Sequence, residues 1–411
     1  MGERNWAGNV ELADEIARPE SLAELQELVA TSRRIRAVGS RHSFSEVARV
    51  ADGGVLVSLE RLAEPVTVTA DGMVRIAGPL PYAAVVGPVA AAGRALPNLG
   101  SLPHISVVGA VSTGTHGSGT RRRSLAAAVV AIELVGADGS LRRVERGDAE
   151  FAGSVVALGR LGIITAITLE TVPAERLRQD VYEPFHWGEL VSACDEVMAA
   201  GESVSVFLDS WHAGVGRVFV KRAAGIPADT LRGASRADRP VPIIPGSDMD
   251  ALTVQGAEGE WHRILPHFRA DSPPSNAGEE LQSEYFVDRS DAAAALAAVR
   301  RLAARIDPLL LVTELRTIAA DDLWLSGAQG RETLAIHFTW RPDIRGVAAV
   351  LPGIEAALQP FSPRAHWGKL FSSRLRVAAA YPRMRDFRAL VAERDPTGRF
   401  GSAFTDRVLE L

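Results

Sequence analysis

The sequence predicts an α+β chain built in two parts. Helix-like and strand-like apolar patterns mix throughout residues 1–172. The pattern loses its regularity after Pro173, and 411 residues are enough to bury two cores. Two loops in the first part, Val38-Gly39-Ser40-Arg41-His42-Ser43-Phe44 and Gly109-Ala110-Val111-Ser112-Thr113-Gly114-Thr115-His116-Gly117-Ser118-Gly119, are too rich in Gly, Ser and Thr to be packed elements. Each follows a short apolar run. Glycine lets backbone approach an anion closely, and successive N–H groups in such a turn form an anion nest. A pyrophosphate is the kind of group that needs one.

The elements follow in order. Pro19-Glu20-Ser21-Leu22-Ala23-Glu24 opens a helix, with Ser21 and Glu24 as a capping box and Leu22, Leu25, Leu28 and Val29 on one face. Residues 35–38 and 55–59 are strands. Val66, Val68, Val74 and Ile76 alternate around the hairpin signal Asp71-Gly72. Residues 82–95 are helical, with a break expected at Gly87-Pro88. Strands at 129–135 and 141–144 flank the turn Ala137-Asp138-Gly139-Ser140, and 163–172 is a further strand. Beyond Pro173, Ser272-Pro273-Pro274-Ser275-Asn276 is a surface loop, 292–306 a helix, and 309–318 and 333–340 strands.

Composition narrows the function. A 47% hydrophobic and 23% charged content is that of an ordinary globular enzyme. The net charge of −5 argues against a nucleic-acid partner, and Arg121-Arg122-Arg123 reads as a solvated loop. Cys194, the single cysteine, makes neither an intrachain disulfide nor a multi-cysteine zinc cluster, so a reducing, cytoplasmic compartment and no metal are expected. The segment Met1-Gly2-Glu3-Arg4-Asn5-Trp6 has no apolar signal region, and no apolar run reaches the roughly eighteen residues of a membrane span. A monomer without a membrane partner is expected.

Three groups of residues carry candidate chemistry. Read alone, His42 is a turn histidine. Leu96-Pro97-Asn98-Leu99-Gly100-Ser101-Leu102-Pro103-His104-Ile105-Ser106 reads equally as a two-proline turn. Glu314 and Arg316 lie two apart in an apolar run, so on a strand they share a face with Val312 and Ile318. Opposite charges there are either a structural pair or a site, since burying them otherwise is costly. His337 and Thr339 repeat the pattern, and if the two strands are neighbours four polar groups converge. His366-Trp367-Gly368-Lys369 is either a surface turn or a third contributor.

Taken as a unit, Gly39-Ser40-Arg41-His42-Ser43 resembles the covalent-flavin loop of the vanillyl-alcohol-oxidase superfamily. The likeness begins at Asn5-Trp6-Ala7-Gly8-Asn9 and extends to His366-Trp367-Gly368-Lys369, similar to the His-Trp-x-Lys motif of its sugar-lactone and polyol oxidases, the aldonolactone-oxidoreductase branch. The resemblance implies a two-part FAD-binding domain, 1–172 with the returning segment 376–411, around a substrate domain, 173–375, with a large antiparallel sheet. It implies FAD tethered through His42; with His116 and no cysteine in the second loop, the tether is single. It implies cofactor contacts at Val38, Gly39, Ser40, Arg41, Ser43, Ser101, Ser106, Gly109, Ser112, Thr113, Gly114, Thr115, His116, Gly117 and His366, and a backbone clamp at Gly162-Ile163. Arg316 and Lys369 would bind and polarise the reacting oxygen, with Glu314, Thr339, Ser101 and Gln282 on other hydroxyls and His337 taking or positioning the proton. Gly100 would leave room for oxygen beside the ring.

The implied reaction converts the terminal alcohol of an alditol of the xylitol or sorbitol type to the aldose, with oxygen reduced to hydrogen peroxide. An aldonolactone oxidase or dehydrogenase on the same scaffold is the alternative, followed by a flavin-binding protein without turnover. No NAD is implied, because no Gly-x-Gly-x-x-Gly follows a strand with a suitably spaced acidic residue.

Overall fold

A computed structural model describes residues 2–50, 53–226, 230–273 and 279–411. After a small antiparallel pair, Glu3–Arg4 with Glu11–Ala13, the chain forms a short strand, β1 (Ile16–Ala17), followed by α1 (Leu22–Thr31), β2 (Ile35–Ala37) and β3 (Val55–Val57). β3 is central, with β1 and β2 parallel to it on either side. Leu25 and Val29 of α1 are buried with Ile35 and Val57, whereas Leu22 stays 37% exposed. Only half of the expected capping box forms. Ser21 Oγ accepts the Glu24 N–H at 3.2 Å, but the Glu24 carboxylate turns to the N–H of Glu20 at 2.7 Å. One residue further out, that amide is equally unpaired by the helix.

The hairpin β4 (Thr67–Val68) and β5 (Met73–Ala77) turns through Gly72, whose φ is +83°. α2 (Tyr82–Ala91) then runs straight through Pro88 where a break was expected. Tyr82, Val85, Val86 and Val89 form its buried face, while Ala84, Gly87 and Pro88 face solvent. The Ala84 carbonyl that proline leaves unbonded lies on this exposed face, so the lost bond does not end the helix. The chain leaves α2 for β6 (Arg94–Ala95) and α3 (Val107–Ser112). β7 (Val129–Val135), β8 (Leu141–Glu145) and β9 (Ile163–Glu170) complete a five-stranded antiparallel sheet in the order β8-β7-β9-β5-β4. The expected strand to residue 172 is interrupted at Thr171, after which β10 (Val172–Pro173) pairs with β6 instead.

A nine-stranded sheet begins at β11 (Arg176–His186) and continues with β12 (Ser203–Leu208), β13 (Val215–Ala223), β14 (Leu281–Asp288), β15 (Leu310–Ile318), β16 (Thr333–Trp340) and β17 (Arg364–Ala365). These seven lie in the order β11-β13-β12-β15-β16-β14-β17, each antiparallel to its neighbours. Residues 274–276 of the expected surface loop lie outside the described residues. The helix expected over 292–306 is two helices, Ala292–Arg300 and Ala303–Ile306. The Leu302 N–H bonds three residues back to Val299 at 2.9 Å, and the tighter turn buries Val299 and Ile306 together.

The C-terminal residues return to the first part of the chain. Phe400 is buried in the α1 cluster, and the Ile35 N–H bonds Arg399 O at 2.9 Å. Among the described residues no helix is long and apolar enough to cross a membrane.

Candidate active site

A deep cavity lies between the two Gly-rich loops and the face of the nine-stranded sheet. Two serines tie the first loop to the segment that leads into the second. Ser106 N–H donates to Ser40 Oγ at 3.0 Å, and Ser40 N–H reaches back to Ser106 Oγ at 3.4 Å. A Cβ on Gly39 would stand 2.1 Å from Ser106 Oγ, and one on Gly109 2.6 Å, so both positions need glycine for this close approach. Arg41 takes a left-handed conformation, φ +59°, uncommon for a residue with a side chain. Its carbonyl accepts the Trp6 N–H at 2.8 Å, and its guanidinium pairs with Glu3 at 2.6 Å. These contacts hold the turn that lays His42 on Trp6, with ring centroids 4.5 Å apart.

His42 lines the cavity, and its Nε2 is buried without a hydrogen-bond partner. Burial, then His104 and Lys369, push the ring down to about 4, so it is neutral near pH 7. A buried imidazole nitrogen left unpaired is costly unless another group meets it. A neutral nucleophilic ring beside glycine-opened, N–H-rich loops is the donor set that FAD requires. Val38, Gly39, Ser40, Arg41, Ser43, Ser101, Ser106, Gly109, Ser112, Thr113, Thr115, His116 and His366 all line this cavity with His42.

Three expected cofactor residues do not line it. Ile163 is buried with Leu25, Val29 and Phe400, on the far side of its strand, while its neighbours Gly162 and Ile164 reach the cavity. Gly114 supplies a turn at φ +69°. Gly117 lies against Asn98 and Leu99, where a Cβ would stand 2.1 Å from Asn98 Oδ1.

The opposite wall is polar because of sheet register. Glu314 of β15 pairs with His337 of β16, which pairs in turn with Glu284 of β14. One step along, Val312, Thr339 and Gln282 are in register. The two polar strands are therefore neighbours, and their side chains converge. Arg316 Nε donates to Glu314 Oε1 at 2.6 Å, and Arg316 Nη2 donates to Ser101 Oγ. Burial alone would raise the Glu314 carboxyl, but Arg316, helped by His267, overcomes it and holds the group well below the carboxylate range. Ile318 closes the end of this face with Phe286 and Ala335.

His366-Trp367-Gly368-Lys369 is a buried turn. Gly368 O accepts the Phe44 N–H at 2.7 Å, Ser45 Oγ donates to Trp367 O at 2.6 Å, and Trp367 Nε1 donates to Leu325 O at 2.8 Å. These bonds dock the turn on the His42 loop and aim Lys369 at the sheet. Lys369 Nζ donates to Glu284 Oε2 and to His337 Nδ1, both at 2.7 Å, and His337 Nε2 stands 3.1 Å from Thr339 Oγ1. Burial, then Lys369, lowers the His337 pKa below its ordinary value. His366 Nε2 lies 3.5 Å from Thr115 Oγ1. Gln282 Nε2 donates to Glu280 at 2.6 Å.

Sequence reasoning passed over three charged or titratable residues of this wall. Glu284, 2% exposed, meets Lys369 and His116 Nε2, the latter at 3.2 Å. Burial would raise its carboxyl, but Lys369 and then His116 hold it well below the usual range. Its signal was present, because Gln282 and Glu284 are two apart on a strand, as Glu314 and Arg316 are. His267 and Lys221 stand next to Glu314. His267 lies in a stretch with no periodicity to mark it.

Comparison with known proteins adds three findings. Residues 13–145 match the FAD binding domain family, and residues 279–408 match the D-arabinono-1,4-lactone oxidase family. The chain is 43% identical to alditol oxidase of Streptomyces sp. (strain IKD472 / FERM P-14339), over 99% of this chain and 98% of the relative. It is 28% identical to L-gulono-1,4-lactone dehydrogenase of Mycobacterium tuberculosis (strain ATCC 25618 / H37Rv), over 98% of each. Among solved structures, cholesterol oxidase from B. sterolicum superposes with a TM-score of 0.81 at 15% identity, over 99% of this chain and 96% of the other, a likeness of fold.

Proposed function

This chain belongs to the alditol oxidase family, FAD-dependent oxidoreductases of the aldonolactone branch with the vanillyl-alcohol-oxidase-type fold, and on that premise we propose that it oxidises the terminal hydroxyl of xylitol- or sorbitol-type alditols to the aldose with release of hydrogen peroxide. The observation that carries the reading is the row Ser101, Arg316, Glu314, Thr339 and Lys369, which lines one cavity with the loops that would hold FAD. An open-chain polyol satisfies such a row with successive hydroxyls.

FAD, when bound, supplies the two-electron acceptor for the carbinol hydride and returns the electrons to oxygen. The chain's residues supply the rest. Arg316 and Lys369 hold the reacting oxygen and stabilise the negative charge that develops on it. Lys369 already donates to His337 Nδ1, so it can pass that proton on as it takes one from the substrate hydroxyl. His337 receives it as a neutral ring, with Glu284 Oε2 3.8 Å from Nδ1 to offset the charge. Glu314, Thr339 and Gln282 hold neighbouring hydroxyls, and Ser101 closes the site. The same reading takes residues 1–172 with 376–411 as the cofactor half, and the protein as a cytoplasmic monomer.

Anaerobic titration with xylitol, sorbitol and gulono- or galactonolactone tests the assignment. Bleaching of the flavin by alditols is expected. Preferential bleaching by lactone would make the protein a lactone oxidoreductase, and no bleaching by either a flavin carrier.

A single covalent bond from His42 to FAD is part of the proposal. Acid-precipitated, washed protein should stay yellow, and one tryptic peptide containing His42 should carry the flavin mass. Complete release of flavin into the acid supernatant would refute it.

Gly100 tests the oxidase half of the reaction. A Cβ there would lie 3.6 Å from His116 O and 3.8 Å from Thr115 Cγ2, ordinary contact distances, so alanine fits without moving the backbone. Gly100→Ala should slow reoxidation by oxygen in stopped flow while leaving reduction nearly unchanged. Slow reoxidation of the wild-type enzyme would show that it is a dehydrogenase.

A further inference from the structure

Next to Glu314, on the same face of the sheet, a lysine is buried against a histidine, and the histidine also lines the cavity. Lys221 lies on β13 and is 2% exposed; His267 is 3% exposed. Lys221 Nζ donates to Leu265 O at 2.5 Å and to Pro266 O at 3.2 Å, and its third partner is His267 Nδ1 at 3.3 Å. The other ring nitrogen, Nε2, stands 3.0 Å from Glu314 Oε1 and 3.1 Å from Ser205 Oγ. The edges of Phe207 and Phe219, with centroids 5.4 and 5.7 Å away, hold the ring in place. The His267 backbone N–H also donates to Ser101 O at 3.1 Å, so one residue touches two members of the polar row.

The donor count fixes the state of this ring. Arg316 keeps Glu314 ionised, and an ionised carboxylate only accepts hydrogen bonds. The nitrogen facing it bonds the carboxylate only when it carries the proton. Lys221 already satisfies two carbonyls and directs its remaining N–H at Nδ1, which must accept. His267 is thus a neutral ring protonated on Nε2 alone. Burial, then Arg316, holds the Lys221 pKa well below its ordinary value, so this amine is an expensive group to keep for packing. Its effect here is to exclude the other tautomer, which would turn a lone pair on Glu314.

We propose that Lys221 and His267 are positioning residues for alditol binding: Lys221 fixes the His267 tautomer, and His267 fixes the Glu314 carboxylate in the rotamer that accepts substrate hydroxyls. The proposal rests on the reading of Glu314 as a substrate-binding residue.

Two measurements test it on the flavin-loaded enzyme. In ¹⁵N-histidine NMR without substrate, His267 should show the neutral Nε2–H signature, and Lys221→Met, which removes the donor to Nδ1, should shift part of it to the Nδ1–H form. A His267 protonated on Nδ1 in the wild type, or a signature unmoved by Lys221→Met, would overturn the proposal. This arm does not depend on which alcohol the enzyme oxidises. In anaerobic reduction by xylitol, Lys221→Met should raise Kd at least about tenfold with a much smaller change in limiting rate. His267→Gln keeps an amide N–H toward Glu314 whatever Lys221 does. Adding Lys221→Met to His267→Gln should therefore change Kd by less than about twofold. An equal loss in both backgrounds would mean that Lys221 acts through general structure, and the proposal fails. If Lys221→Met does not retain flavin, His267→Leu against His267→Gln decides: loss only in the leucine variant supports the role, and equal loss overturns it. A wild-type enzyme that no alditol bleaches would instead refute the functional assignment.

Discussion

Arg316→Ala is expected to slow anaerobic flavin reduction by xylitol at least about a hundredfold, since losing a charged donor to the reacting oxygen costs roughly 3 kcal/mol of transition-state stabilisation. The structure adds a second reason for a large effect. Arg316 is the group that overcomes the burial of Glu314, and it also donates to Ser101. Removing it strips a buried carboxylate of its counter-charge and frees a second substrate contact. Glu314→Ala should be milder in rate and act chiefly on affinity, because it leaves Arg316 bonded to Ser101 and His267 Nε2 bonded to Ser205. Both variants should retain FAD, because neither side chain belongs to the loops around Ser106. Near-normal reduction in both would reduce the pair to a structural salt bridge.

The second large effect concerns substrate length. kcat/KM should rise from ethanol through glycerol to five- and six-carbon alditols, by at least about a thousandfold overall, because each polar group left unpaired in a dry site costs about 1–3 kcal/mol. Ethanol offers one hydroxyl to a wall that presents Ser101, Glu314, Arg316, Thr339 and Lys369. Glycerol reaches some of these, and xylitol reaches more. Oxidation should occur at the terminal carbon, giving an aldose identifiable by chromatography. A flat profile across chain length would mean that the row does not hold hydroxyls. A clear preference for gulono- or galactonolactone would overturn the alditol assignment and leave the flavin fold intact.

The residues legible in the sequence were those whose neighbours in the chain already constrain them. Glu314 and Arg316 stood out because two charges on one face of an apolar strand need partners, whatever lies across from them. Gly39 and Gly109 stood out because a loop that admits no side chains has few reasons to be so. The hairpin at Asp71-Gly72 was local for the same reason. Where local signals misled, a longer-range arrangement prevailed. Pro88 did not break α2 because its side of the helix faces water. The helix over 292–306 split so that Val299 and Ile306 could both be buried.

The sequence by itself determined the α+β class, the two Gly-rich loops that admit no side chains, and the charged pair on one face of an apolar strand. These follow from backbone conformation and side-chain period, properties that act over a few residues. Only the tertiary structure decided which strands are neighbours, and so that Glu314, His337 and Glu284 stand in one row. It alone brought Lys369 between Glu284 and His337, docked the 366–369 turn on the His42 loop, and set His267 and Lys221 next to Glu314. Strand register and buried charge pairing join residues far apart in the chain. Their energies depend on what each group meets after the backbone has closed, and no local pattern records that partner.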